Sequence, residues 1–104
     1  MMKKTIAIFG GSQEGTYKKI GQKHGVNVLF HSGKTRNGGN KKEFKNLVKN
    51  ADCVVVMLGA IGHVSMDIVK DLCKKNDVKI LFHNGFGASG AIQMGLENLS
   101  VNAA

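Results

Sequence analysis

Apolar and polar positions along this chain fall into segments typical of alternating strands and helices. Four short apolar runs, each closed by glycine, histidine or a polar turn, predict β-strands. These runs are TIAIF (5–9), VNVLF (26–30), CVVVML (53–58) and VKILF (78–82). The run at 53–58 is the most continuous, which favours a central strand covered on both faces.

A stretch with helical spacing follows each strand. Phe44, Leu47 and Val48 stand at positions i, i+3 and i+4 and predict a helix over about 41–50. The same reasoning predicts three further helices, one carrying Tyr17 and Ile20, one over about 64–75, and one through the small-residue segment 85–99. Four strand–helix alternations indicate an α/β fold, a Rossmann-like three-layer sandwich with a four-stranded parallel sheet. We expect the strand order 2-1-3-4 and a single domain over residues 1–104.

Two of the predicted strands end in nearly the same letters, LFHSG at 29–33 and LFHNG at 81–85. In open α/β sheets, ligands bind beyond the carboxyl ends of the strands. The pattern therefore brings His31, His63 and His83 to this edge, with His24 at the opposite edge. These three histidines are the candidate cofactor-binding or metal-ligating residues.

Strand spacing limits how the three histidines combine. Neighbouring strands lie about 4.8 Å apart, so His63 and His83 are expected to share one small site. His31, about 10 Å from the third strand, joins them only through a bent loop, a larger ligand or a neighbouring subunit. His63 is the preferred ligand, because the partial positive charge of a helix N-terminus favours the neutral imidazole that binds metal.

The glycine-rich turn after the first strand is a second candidate site. Gly10, Gly11 and Ser12 precede a predicted helix, whose first N–H groups form a cradle suited to a phosphate or carboxylate. The turn has neither the GxGxxG pattern nor the Lys-Ser/Thr of a P-loop. His31 stands where a dinucleotide fold places an acidic residue, so NAD binding is not expected.

Charge widens the choice of partners. Fifteen Lys and Arg residues against seven Asp and Glu give a net charge of +8, which favours anionic partners such as nucleic acid or phosphates. No recognition-helix motif or aromatic stacking platform accompanies the charge, so nucleic-acid binding is the alternative and not the leading interpretation. The basic loop after the second strand contributes Lys34 and Arg36 as candidate anion-binding residues.

Other features bear on compartment and activity. No apolar run reaches 18 residues, and the MMKK start leads into a short strand rather than a signal-peptide core. Cys53 and Cys73 lie far from the histidine edge, and we expect both in the core of a cytoplasmic protein. No nucleophile–histidine constellation or carboxylate pair appears, so the sequence gives little support for an enzyme.

Small residues in the last predicted helix suggest close packing against another element. These are Gly87, Ala88, Gly90, Ala91 and Gly95. A four-stranded sheet also leaves edges that need cover. Together they predict a homo-oligomer; the alternative is that the helix simply lies close on its own sheet.

Three stretches together resemble a known bacterial family. FGG (9–11), the His-x-Gly at 31–33 and GHVSMDIVKDLCKK (62–75) are similar to the family catalogued as domain of unknown function 2325, over nearly the whole chain. The resemblance implies a compact Rossmann-like domain, and some members are thought to bind haem. Ser32 stands where the family commonly has Asp, and His83 is an addition.

The leading expectation is thus a cofactor-binding or sensing protein that holds haem through a histidine of the carboxyl edge. A flat, wide ligand reaches across strands that a single ion does not span, and Lys34 and Arg36 are placed to pair with its propionates. A single transition-metal ion is the alternative cofactor. A nucleic-acid, nucleotide or phosphate ligand is the alternative function.

Overall fold

Strands and helices alternate along the chain in the order that the sequence pattern predicts. The computed structural model describes residues 4–11, 14–32, 41–59, 61–84 and 88–103. The elements are β1 (Thr5–Phe9), α1 (Glu14–Lys23), β2 (Asn27–His31), α2 (Lys41–Lys49), β3 (Cys53–Met57), α3 (His63–Lys75), β4 (Lys79–His83) and α4 (Ala88–Ala103). All strand pairs are parallel, and the order β2-β1-β3-β4 confirms the predicted 2-1-3-4 topology.

The sheet separates two apolar layers. One lies under α1 and α4 and includes Ile6, Ile8, Cys53, Val55, Tyr17 and Ile92. The other lies under α2 and α3 and includes Ala7, Phe9, Val54, Val56, Phe44 and Val69. Alternate residues of β1 and β3 supply both layers, since successive side chains of a strand point to opposite faces. All five residues of β3 are buried, as expected for a central strand covered on both sides.

Both outer strands extend one residue further than their apolar runs. Phe9 pairs with His31 and Met57 pairs with His83 across the sheet. The ladder continues beyond these pairs, because the N–H of Gly10 donates to the His31 carbonyl at 2.9 Å and the N–H of Leu58 donates to the His83 carbonyl at 3.1 Å. Pairing with the last residue of the neighbouring strand, Phe9 or Met57, therefore places each histidine in the sheet and not in the turn.

The small residues of α4 serve its own sheet. Ala91 is fully buried, and a Cβ added at Gly95 would lie 2.9 Å from Cδ1 of Ile6 in β1. A Cβ at Gly90 would lie 2.8 Å from Nε2 of His83. Close approach of α4 to its own strands therefore accounts for these residues without a second subunit. Gly87 lies outside the described residues, and homo-oligomer formation stays a prediction.

The two cysteines belong to the core, as predicted. Cys53 and Cys73 are free thiols that are 0% and 1% exposed, one in each apolar layer. The pKa of each thiol is raised to about 11, by burial in Cys73 and by burial together with the nearby Asp52 carboxylate in Cys53. Both thiols are therefore protonated and unreactive in the folded protein.

Candidate functional site

His63 is the first residue of α3, one position earlier than the helical pattern indicated. It follows the extended Gly62, which supplies no side-chain cap to the helix. The His63 side chain is 84% exposed, and its Nε2 lies 4.0 Å from Oδ2 of Asp67 one turn later. The helix thus holds an accessible imidazole at the carboxyl edge, as predicted, with a carboxylate in reach of the same ring.

Exposed apolar side chains accompany this imidazole. Among the described residues, the large hydrophobic side chains that remain exposed are Leu58, Val64 and Phe82, at 36%, 63% and 39%. Leu58 follows β3, Val64 adjoins His63, and Phe82 is the penultimate residue of β4. All three therefore occur around the carboxyl end of β3 and β4, where apolar exposure is the usual mark of a binding surface.

His31 is enclosed by aromatic rings on the α2–α3 face. Its ring centroid lies 4.5 Å from that of Phe44, edge to face, and 6.2 Å from that of Phe9. The side chain is 13% exposed, and Nε2 lies 3.4 Å from a carboxylate oxygen of Glu43 in the first turn of α2. This packing holds the imidazole against α2 and leaves little of it exposed.

His83 lies on the opposite face of the sheet. Lys79, Leu81 and His83 share one side of β4, and Leu81 packs in the α1–α4 layer. The His83 ring meets α4 at Gly90, and its Nδ1 is buried without a hydrogen-bond partner among the described residues. A buried nitrogen without a hydrogen-bond partner lowers the stability of the folded protein, and the packing of α4 against the ring must offset this cost.

The sheet therefore separates His31 from His83. Both stand at the carboxyl edge, as predicted, but each belongs to a different layer, and they do not line one pocket within a chain. In the described part of the chain, no group of three or more His, Cys, Asp or Glu side chains could hold a metal ion. Successive residues of a strand point to opposite faces of the sheet. In β2 this alternation places residue 31 on the α2–α3 face, and in β4 it places residue 83 on the α1–α4 face.

The glycine-rich turn has the backbone form that a tight connection needs. Gly10 and Gly11 adopt φ angles of +111° and +107°, which side chains rarely tolerate. The N–H of Gly10 is already used by the His31 carbonyl, so it is not available to an anion. Ser12, Lys34 and Arg36 lie outside the described residues, and their predicted role in anion binding stays a prediction.

The positive charge is spread over both helical layers. Exposed lysines occur on α1 as well as on α2 and α3, and two of them pair with carboxylates one turn away: Lys18 with Glu14 at 2.7 Å and Lys75 with Asp71 at 3.0 Å. A nucleic-acid interface typically gathers its cations on one face. The distribution favours solvated helix surfaces over a single basic track.

Two carboxylates near the histidines were not singled out by the sequence reasoning. Asp67 follows His63 by four residues, a spacing that places both on one helix face and was readable in the sequence. Glu43 is twelve residues from His31, and only the packing of α2 against β2 brings them together. Leu58 and Val64 were likewise absorbed into the predicted strand and helix and were not recognised as exposed.

In the described part of the chain, the helices lack the length and apolar character that crossing a membrane requires. No solved structure matches the chain.

The sequence has clear bacterial relatives. The family described as "Uncharacterized protein conserved in bacteria (DUF2325)" matches residues 5–99. A UPF0751 protein of Bacillus cereus is 46% identical over 97 residues, covering 93% of this chain and 97% of the relative. A UPF0751 protein of Bacillus anthracis is 46% identical over 95 residues, covering 91% and 95%. One from Desulfitobacterium hafniense is 36% identical over 91 residues, covering 85% and 88%. With the alternating α/β fold and a match over nearly its whole length, this chain belongs to the bacterial family of domain of unknown function 2325.

Proposed function

We propose that this protein binds haem, with His63 as the axial ligand, and acts as a cofactor-binding or sensing module. One observation carries the proposal: an 84% exposed imidazole at the start of α3 adjoins the exposed Val64 (63%), and the exposed Leu58 (36%) follows β3 at the same edge of the sheet. Haem needs both features, an axial nitrogen for its iron and apolar surface for its macrocycle.

The donor set fits haem better than a bare ion. A transition-metal ion in a structural site takes about four protein ligands, whereas haem takes only one or two. His63 offers one imidazole with the Asp67 carboxylate 4.0 Å away. Asp67 is suited to orient the ring of His63 by accepting a hydrogen bond from one ring N–H, as carboxylates do for many metal-bound histidines.

His31 and His83 have a lesser part in the proposal. Each is held by its own packing, His31 between Phe9 and Phe44 and His83 against Gly90. Reaching a ligand beside His63 would require either ring to leave that packing. Lys34 and Arg36 remain proposed partners of the haem propionates, together with the exposed Lys42 at the start of α2.

The setting proposed for this function is the cytoplasm. The two buried thiols are free, which suits a compartment that keeps cysteine reduced.

Titration of the purified protein with haemin tests the proposal, followed by absorbance. A sharp Soret band that saturates at one haem per chain, or one per dimer, supports it. A broad free-haem spectrum at every ratio overturns it. Parallel titrations with cobalt(II) and with a short mixed-sequence DNA distinguish the alternatives: saturable binding of either one without haem binding would replace the haem proposal by that function.

A further inference from the structure

The two edge strands of the sheet, β2 and β4, differ in how far their side chains are buried. At the β2 edge, Val28 is buried and Phe30 stacks on Tyr17 with ring centroids 5.4 Å apart. At the β4 edge, Phe82 is 39% exposed. In the described part of the chain, no strand pairs with the outer side of β2 or of β4, so the exposed Phe82 is what distinguishes the β4 edge. An uncovered strand edge with an exposed aromatic residue is a template for strand pairing.

The backbone of β4 defines which groups face outward. The His83 carbonyl accepts a hydrogen bond from Leu58, so the peptide groups of His83 face β3. Within a strand, the N–H and C=O of one residue share a side, and successive residues alternate sides. Ile80 and Phe82 therefore present their N–H and C=O groups to the open edge.

We propose that β4 of a second copy of this chain pairs antiparallel with this edge, about a twofold axis at Leu81. In that register Ile80 of each copy lies opposite Phe82 of the other. The outward-facing N–H and C=O groups of both residues are then all hydrogen-bonded. Two such pairs provide four N–H···O=C hydrogen bonds. Centring the axis on Ile80 or on Phe82 leaves one of these two residues without a counterpart in the five-residue strand.

The side chains agree with this register. Residues directly opposite each other share a face of the sheet, so the exposed Phe82 of each copy covers Ile80 of the other on the α3 side. Lys79 faces His83 of the second copy rather than Lys79, which keeps the two ammonium groups apart. The contact is self-complementary, as a twofold interface must be.

This interface uses the outer edge of β4 and Phe82, and it does not use His63, Val64 or Leu58, the residues that carry the haem proposal. It joins two four-stranded sheets into one continuous sheet of eight strands. Strand pairing alone is a small interface, below about 1,200 Å², and such interfaces give weak dimers. The expected dimer therefore forms at tens to hundreds of micromolar protein, a range of about 10–300 µM that sedimentation velocity covers.

The register is tested with single cysteines introduced on β4. Leu81→Cys places two thiols in a non-hydrogen-bonded pair with Cα atoms about 4.5–5 Å apart, within disulfide range. Phe82→Cys is the matched control, since its symmetry mate is offset by two positions, about 7–8 Å away. Oxidised glutathione converts two thiols into a disulfide while it is itself reduced to glutathione. Cys53 and Cys73 are buried and do not compete.

The expected result is a disulfide-linked dimer from Leu81→Cys and none from Phe82→Cys. Wild type should sediment as a concentration-dependent dimer, and Phe82→Lys, at an exposed position, should stay folded and monomeric. A wild type that is monomeric up to about 300 µM overturns the proposal. So does a dimer that cross-links equally through both cysteines, or one that Phe82→Lys leaves unchanged.

Discussion

The four histidines of this chain show how strongly one side chain depends on its surroundings. His63 is exposed at a helix start, His31 is enclosed by two aromatic rings, and the Nδ1 of His83 is buried under α4. His24 is exposed after α1, at the other end of the sheet. Only His63 combines access, a rigid support and apolar neighbours, which is why the proposed ligand rests on this residue.

The contact between His83 and Gly90 can be measured by a double-mutant cycle. Gly90→Ala should destabilise the protein by about 1–2 kcal/mol, since its Cβ would stand 2.8 Å from Nε2 of His83. In a His83→Ala background the same change should be neutral or stabilise by up to about 1 kcal/mol, because alanine favours helix. Urea unfolding of the four proteins gives the coupling energy. Equal effects of Gly90→Ala in both backgrounds would show that the two residues do not interact.

At the scale of elements, the sequence pattern was sufficient for the fold. Continuous apolar runs and period-3.6 spacing located the strands and helices of the described residues, and four alternations left few topologies open. The site was harder to predict. A one-residue extension of β2 and β4 moved His31 and His83 from turns into strands, where parity sends them to opposite faces. Strand ends depend on pairing with neighbours, and apolar spacing within one segment does not contain that information.

Helix α1 offers a matched test of how closely it packs on β2. A Cβ at Gly21 would clash with Cγ2 of Val28, whereas a Cβ at Gly15 would meet nothing within 4 Å. Gly21→Ala should therefore destabilise the protein by about 1–3 kcal/mol despite the better helix propensity of alanine. Gly15→Ala should stabilise it by about 0.5–1 kcal/mol. Thermal or urea unfolding followed by circular dichroism measures both. Two variants of equal stability would mean that α1 does not rest on Val28.

At the scale of the whole molecule, two apolar layers share a sheet of five-residue strands, and each layer holds one thiol. Both thiols are inaccessible in the native state and become accessible only when the layer opens. They therefore act as reporters of global unfolding. A charge of +8 on so small a domain works against compaction, and its repulsion is screened by salt.

The burial of the two thiols should be measurable by thiol labelling and by the pH dependence of the free energy of unfolding. At about pH 8, Cys53 and Cys73 should resist a disulfide reagent in the native state and react as two thiols in denaturant.

Burial raises the pKa of each thiol from 9.0 to about 11. Their contribution to stability is therefore fully present below pH 9.0 and is lost as pH rises towards about 11. The Cys53→Ala/Cys73→Ala variant should lose that part of the pH dependence. Native labelling at the rate of a free thiol would contradict the described core.

The most direct test of the proposed function is a haemin titration of three proteins: wild type, His63→Ala and His24→Ala. His63 and His24 are both exposed, so neither substitution should disturb the core. We expect wild type and His24→Ala to give the same sharp Soret band and the same affinity. His63→Ala should remain folded and bind at least tenfold more weakly, about 1.4 kcal/mol. If His63→Ala binds as tightly as wild type while His31→Ala or His83→Ala does not, the axial ligand is not His63. If none of the proteins binds haem saturably, the haem proposal is wrong.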